Sequence, residues 1–301
     1  MRQVNPYRPG SARAPGVLAG RGGVLGAASE ALDVAALERR TPAPLVVVGA
    51  PGTGKSVVLG EIATMAADRY GWLTVPVAAR PDAPFVAEVI AGLGEVQGLL
   101  EEAAPGPPSE LQALAARLGA AGVGEEREGD PQPIGSGSAP ALERALTGAC
   151  HAAVARTSGV VLAVDDLHLA RDPELGDLVG ALGRHAPDGW PLVVVVAGQP
   201  SVRDREPPVA YLDEGRWLEL ELLSHDDAVI ALRGPAASAG RPLSADGAAL
   251  LAEASGGHPS AVQVLGHHAW CGSDGAPTIT ADHARTAIAT AQAELDRIDR
   301  R

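Results

Sequence analysis

The sequence predicts an α/β protein in which a five-stranded parallel sheet is covered on both faces by helices and followed by an all-α C-terminal domain. Three observations predict it: short runs that are apolar at every position, helical periodicity between those runs, and the end of strand-like runs after residue 223. A strand apolar on both faces is buried on both faces, which is the condition of a parallel sheet with crossover helices. With 301 residues and 46% hydrophobic content the chain can bury a full core.

Residues 1–23 are rich in Pro, Gly and Arg and predict an extended arm. Val24 to Arg40 has helical spacing and stops at Thr41-Pro42. Leu45 to Val48 is the first strand, Ser56 to Tyr70 a helix, Trp72 to Ala78 the second strand and Ala83 to Ala103 a helix. Residues 105–140 shift to Pro, Gly, Glu and Ser, the composition of a mobile insertion. A helix over 141–156 precedes the strand Val160 to Val164, and a helix over 173–185 precedes the strand Leu192 to Ala197. Trp217 to Leu222 supplies the fifth strand. Helices are then predicted over 224–237, 244–254, 259–270 and 280–298, three opened by Ser or Thr and one by Pro259. The division is an arm over 1–23, a nucleotide-binding domain over 24–223 and a helical lid over 224–301.

Lys55 is the chain's one lysine among 24 basic residues, and it falls inside Gly49-Ala50-Pro51-Gly52-Thr53-Gly54-Lys55-Ser56. Two glycines, a lysine and a Ser or Thr at this spacing arise by chance on the order of once per thousand such chains. A strand before it and a helix after it are the context the motif needs. It predicts a P-loop NTPase fold whose ligand is a nucleoside triphosphate: backbone N–H groups turn toward the phosphates, the compact ammonium reaches the β and γ oxygens, and Ser56 places its hydroxyl on Mg²⁺. The predicted contact set is Gly49, Pro51, Gly52, Thr53, Gly54, Lys55, Ser56 and Val57. The competing reading is a glycine-rich turn with a solvated lysine.

Asp165 and Asp166 end the third strand, and ligands of parallel sheets bind at the carboxyl ends of strands. The first acid suits Mg²⁺ and the second an attacking water; alone, the pair would equally suit a helix cap or turn. Gln199 ends the fourth strand and suits either a γ-phosphate reporter or a plain turn. His168 is a lone histidine, more often packed than catalytic.

The formal charge of −13 sets the surface against nucleic acid and anionic membranes; only the first 22 residues are basic without acids, suiting a flexible arm that touches a partner or the domain's own nucleotide, or a solvated tail. Cys150 and Cys271 share no metal-ligand spacing and predict two buried thiols in a reducing compartment. No apolar run approaches the ~20 residues of a membrane span, so the expected location is cytoplasmic.

Gly49 to Ser56, Val160 to His168, Gly198-Gln199-Pro200 and the four-helix tail together resemble an AAA+ ATPase module, on the branch shared by origin-recognition ATPases and the STAND signal-transduction ATPases. Asn5-Pro6-Tyr7-Arg8-Pro9-Gly10 and Pro15 to Arg21 resemble the N-termini of bacterial ATP-binding proteins of that branch. The resemblance covers nearly the whole chain. It implies ATP and Mg²⁺ as cofactors, an adenine pocket at Val17, Leu18 and Arg21, and a lid contact at Pro259 within Gly256-Gly257-His258-Pro259. It also implies a finger arginine serving a neighbouring subunit at Arg216, with Arg203 and Arg205 as competitors. Two departures, no arginine in Gly256-Gly257-His258-Pro259 where many AAA+ proteins keep a sensor arginine and Asp166 where relatives often carry Glu, imply slow hydrolysis. The implied role is a regulatory ATPase switch acting on a protein partner or by self-association, with Asp166, Gln199 and Arg216 as catalytic residues and Ser56 and Asp165 on the metal. A DNA-acting ATPase or a nucleotide-stabilised scaffold without turnover are the alternatives. Longer relatives continue into a winged helix, so the sequence is expected either to lack that domain or to be a fragment.

Overall fold

In a computed structural model of the chain, residues 4–11, 14–102, 138–185, 189–205 and 210–298 are described. The expected mobile insertion falls almost wholly outside them. The chain forms two compact units, one of residues 24–49 and 55–219, the other of residues 1–23, 50–54 and 220–301.

The first unit is the sheet. In chain order its elements are α1 (Gly22–Leu37, entering from the arm), β1 (Leu45–Val48), α2 (Lys55–Tyr70), β2 (Leu73–Ala78), α3 (Phe85–Glu102), α4 (Ser138–Ala155), β3 (Val160–Asp165), α5 (Asp172–His185), β4 (Leu192–Gly198), α6 (Ala210–Asp213) and β5 (Arg216–Glu219). The five strands lie in the order β2-β3-β4-β1-β5, every pair parallel. Parallel pairing puts all carboxyl ends at one edge, and the register aligns them: Val48 opposite Gly198, Val164 opposite Val196, Ala78 opposite Asp165. β1, β3 and β4 are buried at every position, as their unbroken apolar runs require. On one face α3 and α4 close the core, with Phe85, Val89, Leu93, Val96 and Leu100 meeting Leu142, Leu146 and Cys150.

Two boundaries differ from expectation. β5 ends at Glu219, level with Val48 of its partner strand, because β1 stops there; the apolar Leu220 is buried in the other unit. α4 starts at Ser138, three residues before the predicted helix, with its Ser138 hydroxyl bonded to Asp177.

The second unit holds α7 (His225–Ser238), α8 (Ala245–Ala254), α9 (Pro259–Gly272) and α10 (Ala281–Ile298). Ser224 and Ser244 cap α7 and α8, accepting from Asp227 N at 3.1 Å and Gly247 N at 3.2 Å, each cap worth about 1 kcal/mol. Leu232, Leu251, Val262, Leu265, Trp270, Ile279 and Leu295 form its core. Tyr7 belongs to that core at 2% exposure, its hydroxyl bonded to the Leu232 carbonyl. Tyr7 is therefore not part of a solvated tail: its ring lies inside this unit. Gly266 makes room for that ring, since a Cβ there would stand 2.5 Å from it. Among the described residues no helix is long and apolar enough to cross a membrane.

Candidate functional site

The phosphate-loop motif leaves the carboxyl end of β1, an interior strand of the sheet, and runs into α2. Gly52 and Gly54 adopt φ of 79° and 90°, a region open to glycine and strained for other residues. Thr53 closes the turn between them, its hydroxyl donating to the Ala50 carbonyl at 2.8 Å. Lys55, 8% exposed, donates from Nζ to the Gly49 carbonyl at 2.9 Å. This is no solvated lysine. Burial lowers its pKa, and Asp165 and Asp166 oppose that shift.

Asp165, 3% exposed, ends β3. Burial raises its pKa; the Ser56 hydroxyl bonded to its carboxylate, its bond from Asp166 N at 2.8 Å, and Lys55 hold the shift back. Ser56, Asp165 and Lys55 are thus brought together, and they fit a Mg-nucleotide: a hydroxyl and a carboxylate are the hard oxygens Mg²⁺ takes, with phosphates and water completing its shell. Among the described residues no group of three His, Cys, Asp or Glu side chains is placed to hold a metal.

Asp166 sits at the start of a single 3-10 turn, Leu167–Leu169, with φ 50° and ψ 34°. Its side chain caps nothing and is 48% exposed, which removes the cap explanation for the second acid. His168 Nδ1 is buried without a hydrogen bond, 4.0 Å from Asp166 Oδ1, and burial lowers its pKa. Arg205 fastens the same turn, donating to the Leu167 carbonyl at 3.2 Å and to the Ala170 carbonyl, with Asp172 at 3.3 Å. Gln199 follows β4 in extended backbone, and its side chain does not cap the next turn.

The finger candidates are placed differently. Arg216 pairs with Leu45, the first residue of β1, so it lies at the sheet edge opposite the loop, and it bonds Glu30 at 2.7 Å. Arg203 stacks over Trp217 at 4.7 Å.

In the helical unit, Arg21 is 6% exposed and donates to the Thr53 carbonyl at 2.8 Å. Burial lowers its pKa while Asp227 raises it. Its guanidinium thus braces the phosphate loop's backbone. Val17 packs on Gly234, where a Cβ would stand 2.7 Å from it, and Leu18 is half-buried beside it in sequence. Pro259 takes the first position of α9 as expected, and His258 before it makes no side-chain cap. Sequence reasoning missed Ser260. Its Oγ is buried without a partner, and a Cβ on Gly52 would stand 3.0 Å from it. A helix N-terminus with an uncapped first turn and an unpaired hydroxyl favours an anion.

Residues 17–195 match the profile of the AAA ATPase domain family. Among solved structures the fold is similar to Cdc6p from Pyrobaculum aerophilum, with TM-score 0.60 and 14% identity over 93% of this chain and 69% of that one. It is also similar to the RuvB Holliday junction branch migration motor of Thermotoga maritima, with TM-score 0.54 and 15% identity over 90% and 70%. The Orc1 protein of Aeropyrum pernix, solved in complex with DNA, matches with TM-score 0.54 and 18% identity over 92% and 66%. At these identities the likeness is one of fold. No curated protein matches the chain.

Proposed function

The chain belongs to the AAA ATPase domain family, and we propose that it is a STAND-like regulatory switch that binds Mg-ATP and hydrolyses it slowly. One observation carries the reading: Lys55, Ser56 and Asp165 are joined beside a loop whose glycines hold left-handed backbone. Lys55 donates from its ammonium to the Gly49 carbonyl. A triphosphate offers charged oxygens in its place, each such bond worth about 1.5–3 kcal/mol. Ser56 and Asp165 would hold Mg²⁺, whose chemistry is to neutralise the β and γ oxygens. Asp166, exposed and uncommitted to a cap, would accept the proton of an attacking water at a carboxylate oxygen. Its short side chain and the lack of an arginine within Gly256-Gly257-His258-Pro259 support slow turnover.

The switch character rests on the helical unit itself. Loop residues 50–54 pack within it, Arg21 holds the Thr53 carbonyl, and Gly52 faces Ser260. Filling the loop therefore acts on the packing of that unit, where a protein partner or a second copy would sense it. The charge of −13 keeps DNA the weaker reading.

Thermal unfolding with and without ATP tests this. ATP at ~100 times its dissociation constant should stabilise the protein by ~2.7 kcal/mol, and Lys55→Ala should abolish that gain. An equal shift in the variant would place the nucleotide elsewhere.

A further inference from the structure

Several side chains capable of chemistry have no part in the nucleotide contacts described above. Cys150 is buried as expected, whereas Cys271 is exposed, against the expectation of two buried thiols. His168 is another, and it stands beside the second acid. Its Nδ1 is buried with no hydrogen-bond partner, 4.0 Å from Asp166 Oδ1. A buried polar atom left unpaired costs stability, so one kept next to a carboxylate of the site calls for a functional explanation.

The imidazole is the fixed member of that pair. Leu167 before it is 1% exposed, and Arg205 donates to the carbonyls of Leu167 and Ala170 on either side of it. The end of β4 closes on the same turn, since a Cβ on Gly198 would stand 3.5 Å from the His168 backbone N. Asp166 is the loose member: its side chain is 48% exposed and caps nothing. Rotation about its side-chain torsions closes the gap by about 1 Å to the length of a charge-assisted N–H···O⁻ bond. Burial lowers the pKa of His168, with Lys55 and Arg205 acting the same way and Asp166 and Asp165 opposing, so the ring is neutral at neutral pH. One nitrogen of a neutral ring carries the proton. A carboxylate facing Nδ1 selects the tautomer with the proton there, because a lone pair would otherwise meet a negative oxygen.

On the reading that Asp166 accepts the proton of the attacking water, we propose that His168 is the positioning residue for that acceptor. The Nδ1–H of His168 donates to one carboxylate oxygen of Asp166 and turns the other oxygen toward the water. No proton leaves the ring: Nδ1 keeps its N–H while the water's proton passes to the second carboxylate oxygen. Asp166 is in this way held in one rotamer by a neighbour that the turn itself holds, which is the preorganisation that a proton acceptor on an exposed side chain lacks by itself.

The test is steady-state phosphate release by the full chain at saturating ATP, with the ATP-induced thermal shift read beside it. His168→Leu removes the donor, and release should fall about tenfold, part of the 10²–10⁴-fold worth of a placed base, while the thermal shift is kept. Because Nδ1 has no partner to lose, that variant should melt no earlier than the wild type. An asparagine amide stands where Nδ1 is and a glutamine amide one bond further out, near Nε2, so His168→Asn should recover most of the loss and His168→Gln little of it. Added to Asp166→Asn, His168→Leu should lower the residual release no further, since no acceptor is left to position. A wild-type rate in His168→Leu overturns the proposal. Equal rates in His168→Asn and His168→Gln, or the same tenfold loss with and without the Asp166 carboxylate, assign the ring a structural role and overturn it as well. Should His168→Leu not fold, the contrast between His168→Asn and His168→Gln decides alone. Failure of the underlying reading shows separately, as undiminished release in Asp166→Asn by itself.

Discussion

Asp166 holds a left-handed backbone that costs a non-glycine residue about 1 kcal/mol, and its side chain returns nothing to the turn it begins. Asn tolerates the same backbone, so Asp166→Asn should fold and still gain stability from ATP. Phosphate release should fall by about 10²–10⁴-fold, the usual worth of a positioned base; sustained release in a steady-state assay would assign the proton acceptor to another residue. Ser260 makes a complementary case. Its hydroxyl is buried without a partner, a state that costs about 1–3 kcal/mol, so Ser260→Ala should leave the ligand-free melting temperature unchanged or higher. ATP affinity should weaken by severalfold in a titration. A variant that melts earlier and binds equally well would make the hydroxyl structural. Lys55, Ser56 and the two acids were legible in the sequence because their chemistry fixes their spacing relative to strand ends. Ser260 was not, since its meaning comes from a glycine of a distant segment, and no local pattern encodes that meeting.

Elements were legible in proportion to how much of their pattern is local. β1, β3 and β4 are apolar at every position because both faces are covered, and the chain advertises that directly. β5 was overextended because Leu220 and Leu222 continue the Leu–Glu alternation past Glu219, while pairing ends where β1 ends. The arm gave least away: its Pro, Gly and Arg have no period, and its attachment rests on Tyr7 meeting Gly266. Tyr7→Ala should therefore cost about 3–5 kcal/mol, the range for emptying a buried aromatic site, as measured by denaturant unfolding followed in the helical unit. A loss below 1 kcal/mol would mean that the arm rests on that unit without supporting it.

At the scale of the molecule, Arg216 stands at the sheet edge opposite the loop of its own copy. Its exposed ion pair with Glu30 is worth at most about 1 kcal/mol, so leaving it for a neighbour's nucleotide costs little. Specific ATPase activity should then rise with protein concentration, sedimentation should show larger species with a non-hydrolysable ATP analogue, and Arg216→Ala should lower assembled activity by about 10³-fold. Activity independent of concentration, with one species throughout, would remove the role in trans. The sequence carried the family because its motifs and helical tail span most of its length; it could not carry assembly, which depends on surfaces that no periodicity marks.

These 301 residues hold a single ε-amine, and it is 8% exposed. Acylating reagents that seek primary amines therefore meet a surface of arginines they do not attack, and side-chain amine cross-linking or acyl tagging has one shielded address. Mass-spectrometric occupancy at that address becomes a direct gauge of how much of the protein is filled with nucleotide.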